Sequence, residues 1–299
     1  FGVPQLVYGP LSDAIGRKAI LRFSLIGYIL TAFACMATTT FTLLLVMRFL
    51  QGVVASGVRV VAMSVVRDLV AGRAMARIMS LVMMIFTLVP AFAPLLGTGI
   101  IAVSDWRGIF AAFAIFSVIT VVWMGFRLVE PLKKEDRRPL RLPQMLAALR
   151  EMVNHPTVRL SILAQTFCMA MLFTIIVMVQ PAYDEVFDRA ESFPVWFMIV
   201  ALMAGTASFL NASLVGRVGM RRMVTWALGV QIIGSSAMFV TTQFTIADPM
   251  SFYIFVAWQT SVFFMVGLTL GNLNAIAMEP MGHIAGMAAS VMGAISTVA

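Results

Sequence analysis

Apolar residues run along this chain in blocks of about 20, separated by short polar or glycine-rich breaks. Ten segments can be read: a partial one at 1–10, then 19–40, 42–66, 76–103, 107–128, 158–180, 193–215, 223–242, 251–275 and a last one from 285. Runs of that length match the hydrocarbon thickness of a bilayer crossed as helix. With no water in that layer, every backbone N–H and C=O must be paired within the segment, which selects helix. An outer-membrane barrel would alternate polar and apolar over about ten residues, which these runs do not. The pattern predicts an all-α polytopic membrane protein.

One polar stretch is longer than the rest, "RLVEPLKKEDRRPLRLPQMLAALREMVNHP" from residue 127. Pro131, Pro139 and Pro143 break any continuous helix there, and 144–153 has the spacing of a short amphipathic helix on the membrane surface. It divides the chain into an N-terminal half at 1–128, a linker at 129–157 and a C-terminal half at 158–299. The halves look related. "LSDAIGRK" at 11–18 aligns with "LVGRVGMR" at 214–221 at a constant offset, pairing Leu11 with Leu214, Gly16 with Gly219 and Lys18 with Arg221. Parallel repeats of this size are a transporter design.

Composition agrees with the pattern. The chain is 61% hydrophobic and 11% charged, with a mean hydropathy of +0.97. The net charge of +8 raises the question of nucleic acid, but its distribution answers it. Taking alternate breaks, one set holds Arg17, Lys18, Arg22, Arg67, Arg73, Arg77, the eight basic residues of 127–159, and Arg217, Arg221 and Arg222. The other set holds Arg107 and Arg189, while Arg48 and Arg59 lie inside a segment. This bias predicts that the first set, linker included, is cytoplasmic, and it leaves no nucleic-acid role. Cys35 and Cys168 both lie in apolar runs and give neither a disulfide framework nor metal-ligand spacing; His155 and His283 are equally isolated. Phe1 in place of Met and an apolar run that stops at Ala299 read as a fragment cut at both ends.

The breaks carry the chemistry. "GPLSDAIGRK" at 9–18 is close to the loop signature between helices 2 and 3 of the major facilitator superfamily, Gly-x-Leu-Ser/Ala-Asp-x-x-Gly-Arg-Lys/Arg. "RFLQGVVASG" at 48–57 resembles its helix 4 motif. "RDL" at 67–69, "PAFAPLLGTG" at 90–99 and "LNASLVGRVGMRRM" at 210–223 resemble drug:proton antiporters of the bicyclomycin- and chloramphenicol-resistance type. The resemblance implies the major facilitator fold, two pseudo-symmetric helical halves. In that register the chain runs from helix 2 to helix 11, with helices 2–6 and 7–11 in its halves and helices 1 and 12 missing.

The resemblance gives Gly9, Asp13, Gly16, Arg17 and Lys18 a gating role, with Asp13 facing the N-terminus of helix 11 near Ala285 as a latch. The alternative is a plain polar turn. The second copy has Gly216 where Asp13 stands. Arg48 and Arg59 are 11 residues apart, about 16 Å along a helix, so they share a face with Gln51, Gly52 and Ala55 on or near it. A charge at membrane depth faces a cavity or a partner unless it snorkels to the interface. The resemblance implies proton coupling or substrate response at Arg48. No acid lies plainly within an apolar core, where proton coupling usually needs a carboxylate; related exporters often carry it in helix 1.

Pro90, Pro94 and Gly97 form a reduced version of the superfamily's helix 5 motif, either a bend used in exchange or a structural kink. Ala201, Ala204, Gly205 and Ser208 suggest a packing face. Gln165, Gln231, Trp258, Gln259, Asn272 and Asn274 sit inside apolar segments and, with Gln51, are candidates for cavity lining; interhelical hydrogen bonding is the other reading. The 24 methionines are either an adaptable pocket or ordinary packing. No phosphate-binding glycine loop and no nucleophile–base pair are present, so neither an ATP motor nor an enzyme is expected, and no cofactor beyond a proton gradient. The expected activity is export of small amphipathic drugs or metabolites by proton antiport and alternating access, by a monomer in the inner membrane. The alternatives are a narrow-specificity metabolite or sugar exporter or an importer, a lipid-modifying membrane enzyme, and a non-transporting receptor.

Overall fold

The computed structural model describes residues 2–70, 72–133, 135, 137, 142–244, 247–284 and 291–294. Ten helices are named here in chain order: α1 Gly2–Ile15, α2 Arg17–Ala37, α3 Phe41–Leu69, α4 Gly72–Val103, α5 Trp106–Arg127, α6 Leu142–Asn154, α7 Pro156–Pro181, α8 Phe193–Val218, α9 Met220–Thr241 and α10 Met250–Met278. Seven stretches of the described residues are long and apolar enough to cross a membrane, from Arg17–Ala37 to Met250–Met281. α6 lies where the linker's amphipathic spacing predicts it.

The packing is that of a protein solvated by lipid. Large apolar side chains point outward, Phe116, Trp123 and Phe126 on α5 and Ile232 and Ile233 on α9 among them. The buried faces mix apolar residues with small and polar ones. On α7 they are Val158, Ser161, Gln165, Cys168, Ile175 and Val179, at helical spacing. Water does not drive helices together in this setting, so close approach and interhelical hydrogen bonds must hold them. Gly57 is one such point: a Cβ there would lie 2.9 Å from the Tyr8 ring and closer still to Ser24 Oγ. Gly267 is another, 2.9 Å from Ala207 Cβ and next to Ala204 and Ser208 of α8. The contact involves Ala204 and Ser208 of the small-residue face expected on α8, together with Ala207. A Cβ at Gly97 or Gly99 meets no described atom within 4 Å.

The chain forms two compact units, one of 1–83, 97–149 and 286–298, the other of 84–96, 150–285 and residue 299. In the first, α2 is central and packs on α1, α3 and α5. Its core is Tyr8, Ile20, Leu21, Val61 and Val65, flanked by Leu11, Val58, Met124 and Leu128. In the second, α10 is central and packs on α7, α8 and α9. One cluster there is aromatic: Tyr183, fully buried in the π-turn after α7, meets Phe193 and Phe252 edge-on at 5.4 and 5.3 Å. Its hydroxyl donates to Gln259 Oε1 at 3.1 Å. Gln259 Nε2 has no partner among the described residues, so Tyr183→Phe would leave the whole amide unpaired. That variant is expected to lose about 1–2 kcal/mol of stability, read as a lower thermal midpoint in detergent. An unchanged midpoint would mean the amide finds another partner.

The breaks between helices are shorter than the sequence pattern suggests. The tip at 9–18 is helix on both sides of one residue, Gly16, at φ 121° and ψ 149°. The same turn recurs at Gly219, at φ 87° and ψ 146°, between α8 and α9. Side chains other than glycine rarely adopt this backbone, so a single glycine reverses the chain where several loop residues would otherwise be needed. Gly9 and Asp13 therefore belong to the last turns of α1, and Arg17 and Lys18 to the first turn of α2.

Candidate functional site

A charged cluster forms where α1, α2, α3 and α5 converge at Gly16. α2 starts abruptly there, so the N–H groups of Arg17 and Lys18 have no partner within the helix. Glu130, three residues beyond α5, supplies one: its Oε1 accepts from Arg17 N at 2.9 Å and its Oε2 from Lys18 N at 3.0 Å. Leu132 N also donates to Oε1, at 3.2 Å. A carboxylate is favoured at a helix N-terminus by the partial positive charge of the unpaired N–H groups. Lys18 Nζ then reaches across to Gly125 O at 3.1 Å and ties α2 to α5 a second time.

The Arg17 side chain is 4% exposed and binds three acceptors. Nε donates to Asp68 Oδ2 at 2.8 Å, Nη2 pairs with Asp13 Oδ1 at 2.5 Å, and Nη1 donates to Ser12 Oγ at 2.5 Å. Ser12 in turn donates to the Gly9 carbonyl at 2.8 Å. The guanidinium fork thus joins the end of α1 to the end of α3 from the start of α2. Gly16 is needed for space as well as backbone: a Cβ would sit 2.9 Å from both Arg137 Nη2 and Glu130 Oε2.

The structure joins Gly9, Asp13, Gly16, Arg17 and Lys18 in one network and adds Asp68 and Glu130. Both additions had a signal in the sequence, since each is an acid in a break of the expected cytoplasmic set. Residues 285–290, where the expected helix 11 partner of Asp13 falls, lie outside the described residues; among the described residues Asp13 is held by Arg17.

Arg48 and Arg59 are both exposed on α3, whereas Gln51, expected on or near their face, is buried. Arg48 Nη1 donates to Gln51 Oε1 at 2.7 Å, and its guanidinium carbon lies 5.7 Å from the centre of the Phe110 ring. Pro90, Pro94 and Gly97 all lie inside the continuous helix α4, with Pro90 exposed and Pro94 and Gly97 half-buried. In the second unit Asn272 donates to Asn211 Oδ1 at 2.6 Å, joining α10 to α8. Trp258 Nε1 donates to Ser235 Oγ at 3.1 Å, joining α10 to α9, and Gln231 Nε2 donates to the same oxygen at 3.0 Å from within α9. Gln165 is buried, with Oε1 unpartnered among the described residues, and Asn274 is exposed. Sequence reasoning missed Asn211 as a partner.

The two basic residues on the opposite set of breaks each hold a helix end. Arg107 donates to the Met36 and Thr38 carbonyls at 3.0 and 3.3 Å, closing the C-terminus of α2. Arg189 pairs with Asp248 at 2.8 Å and stacks 4.6 Å from the Phe252 ring. Among the described residues no group of three or more His, Cys, Asp or Glu is placed to hold a metal ion. What these groups do is hold helix ends together.

Comparison with known proteins agrees with this architecture. The profile of the Major Facilitator Superfamily matches residues 1–299. The chain is 27% identical over 295 residues to the bicyclomycin resistance protein homolog of Haemophilus influenzae, across 97% of this chain and 72% of that protein. It is 31% identical over 126 residues to the chloramphenicol resistance protein CraA of Acinetobacter baumannii, across 42% of this chain and 30% of that protein. The crystal structure of a bacterial homolog to the human lysosomal transporter Spinster, inward-facing and unoccupied, has a TM-score of 0.69 at 15% identity, across 98% of this chain and 70% of that one. This chain belongs to the Major Facilitator Superfamily and is a multi-pass membrane protein of that transporter fold.

Proposed function

We propose that the protein exports small amphipathic drugs or metabolites by proton antiport with alternating access. The observation that carries this reading is the match along 97% of this chain to a bicyclomycin resistance protein homolog. The bilayer is the inner membrane, with the Gly16 end and the 129–157 linker cytoplasmic between halves at 1–128 and 158–299, and the working unit is a monomer. The positive-inside distribution supports that orientation.

In this reading the cluster around Arg17 is the cytoplasmic gate. Gly9, Asp13, Gly16, Arg17 and Lys18 set its geometry, and Asp68 and Glu130 anchor it. Such a set of charge-assisted bonds at helix ends can be exchanged as the gate opens, because each partner remains near water or another charge. Arg48 and Arg59 serve coupling or substrate response. Pro90, Pro94 and Gly97 let α4 bend, since proline frees backbone carbonyls within the helix.

The test uses the complete gene product in cells stripped of their major drug exporters. Chloramphenicol efflux that collapses when a proton uncoupler is added is the expected result. Absence of efflux from correctly inserted protein, or efflux indifferent to the uncoupler, would reject the antiport reading. Asp13→Asn keeps the size of the side chain and removes its charge. It is expected to lower transport about tenfold with membrane insertion unchanged, as a loss of about 1.4 kcal/mol in gate closure would. Wild-type transport by that variant would remove Asp13 from the gate.

A further inference from the structure

The seam between α2 and α5 at the Gly16 end carries a pair of cations outside the Arg17 side-chain network. Lys18 and Arg22 stand one turn apart on α2, about 6 Å along its axis, so they share a face. Lys18 marks which face that is, because its Nζ donates to Gly125 O of α5 at 3.1 Å. Gly27, whose added Cβ would lie 2.9 Å from Val54, faces α3 instead. Arg22 is exposed, at the α5 edge of a stripe that continues through Phe23, Ile26, Leu30 and Phe33, all exposed. On α5 the neighbours of Gly125 along the seam, Val122 and Phe126, are exposed as well. Both helices belong to the first compact unit, and both are long and apolar enough to cross a membrane.

Arg22 lies about 8 Å inside the end of the Arg17–Ala37 span. A cation at that depth in an apolar stripe extends toward the headgroup layer. Side chains on a helix lean toward its N-terminus, which directs Arg22 back toward Lys18. Like charges one turn apart on a helix repel, and an anion between them turns that repulsion into attraction. Glu130, at the start of the same helix, is engaged by the backbone N–H groups of Arg17, Lys18 and Leu132. Lys18 has three N–H donors, one of them used by Gly125, and the Arg22 fork has five. A phosphate diester offers two free oxygens to such a pair, and it is the anion that the membrane itself supplies at the end of a span. The second unit lacks the pair: Arg221 opens α9 as Lys18 opens α2, but Thr225 stands where Arg22 does.

We propose that Lys18 and Arg22 form a binding site for the phosphate of an anionic phospholipid at the α2–α5 seam. The phosphate lies between the ammonium and the guanidinium, and the acyl chains run along the exposed apolar stripes of the two helices. A zwitterionic headgroup brings its own cation against the two on the protein, whereas a phosphatidylglycerol headgroup does not. The site is therefore selective for anionic over zwitterionic lipid.

The test titrates dioleoylphosphatidylglycerol and dioleoylphosphatidylcholine into the complete gene product in detergent and reads bound lipid by native mass spectrometry. Phosphatidylglycerol is expected to bind about tenfold more tightly than phosphatidylcholine. Arg22→Gln is expected to reduce that preference to about twofold or less, and Arg22→Lys to keep most of it. Arg221→Gln removes one positive charge from the start of α9 and is expected to shift the preference by less than about twofold. Equal binding of the two lipids, or binding of neither, would overturn the proposal. So would a wild-type preference in Arg22→Gln. A loss in Arg221→Gln as large as in Arg22→Gln would also overturn it, because general surface charge would then suffice. If Arg22→Gln does not insert, Lys18→Gln decides, and a wild-type preference there rejects the site. Lipid binding is read without transport, so failure of the antiport reading leaves the site standing, and failure of the site leaves antiport standing.

Discussion

Arg17→Ala is expected to abolish transport and to destabilise the protein by about 2–4 kcal/mol. The size follows from what is left behind. Asp68, whose side chain is 20% exposed, loses the donor at 2.8 Å, and Ser12, fully buried, loses the donor at 2.5 Å. Removing one member of a buried charge network takes a charge-assisted bond from each of the others while they stay desolvated, which is worse than removing the set. Asp13 contributes less, because its side chain is 41% exposed and water can replace the guanidinium there. Arg17→Lys separates charge from geometry. It keeps the cation and the Glu130 bonds to the backbone, but a single ammonium cannot span Asp68, Asp13 and Ser12 as the fork does. Its thermal midpoint and transport rate are expected to fall between those of wild type and Arg17→Ala. A midpoint for Arg17→Ala equal to wild type would mean the three bonds are not held in the membrane.

Gly16→Ala is expected to be the more damaging of two matched substitutions, with Gly219→Ala as its counterpart. Both glycines occupy a backbone region that other residues rarely enter, at φ 121° and 87°. The strain alone amounts to about 1–3 kcal/mol at either site. At Gly219 nothing described lies within 4 Å of the added Cβ, so strain is the whole effect. At Gly16 the methyl would sit 2.9 Å from Glu130 Oε2 and must displace the carboxylate that caps α2. Loss of those charge-assisted bonds adds about 1.5–3 kcal/mol, so transport is expected to fail at Gly16 and persist at Gly219. Equal midpoints and equal transport for the two alanine variants would show that the Glu130 cap carries no weight. The comparison is internal to one protein and one kind of turn, so lipid, detergent and expression level cancel.

The sequence by itself determined the spanning helices and the short amphipathic helix between the halves. These follow from local physics. Apolar length matches a bilayer, proline and glycine limit the backbone, and a helical repeat fixes which residues share a face, as for Arg48 and Arg59. It also required that buried polar residues such as Gln259, Asn272 and Arg17 find partners, because an unpaired polar group in an apolar medium is costly. It did not say which partners. Asp68 and Glu130 reach Arg17 across 51 and 113 residues, and Asn211 reaches Asn272 across 61. Tyr183 meets Gln259 only because a π-turn after α7 swings its ring against α10. Those choices depend on how each helix is rotated about its axis and on which faces come together. Periodicity within one helix cannot carry that information, and packing among several helices decides it.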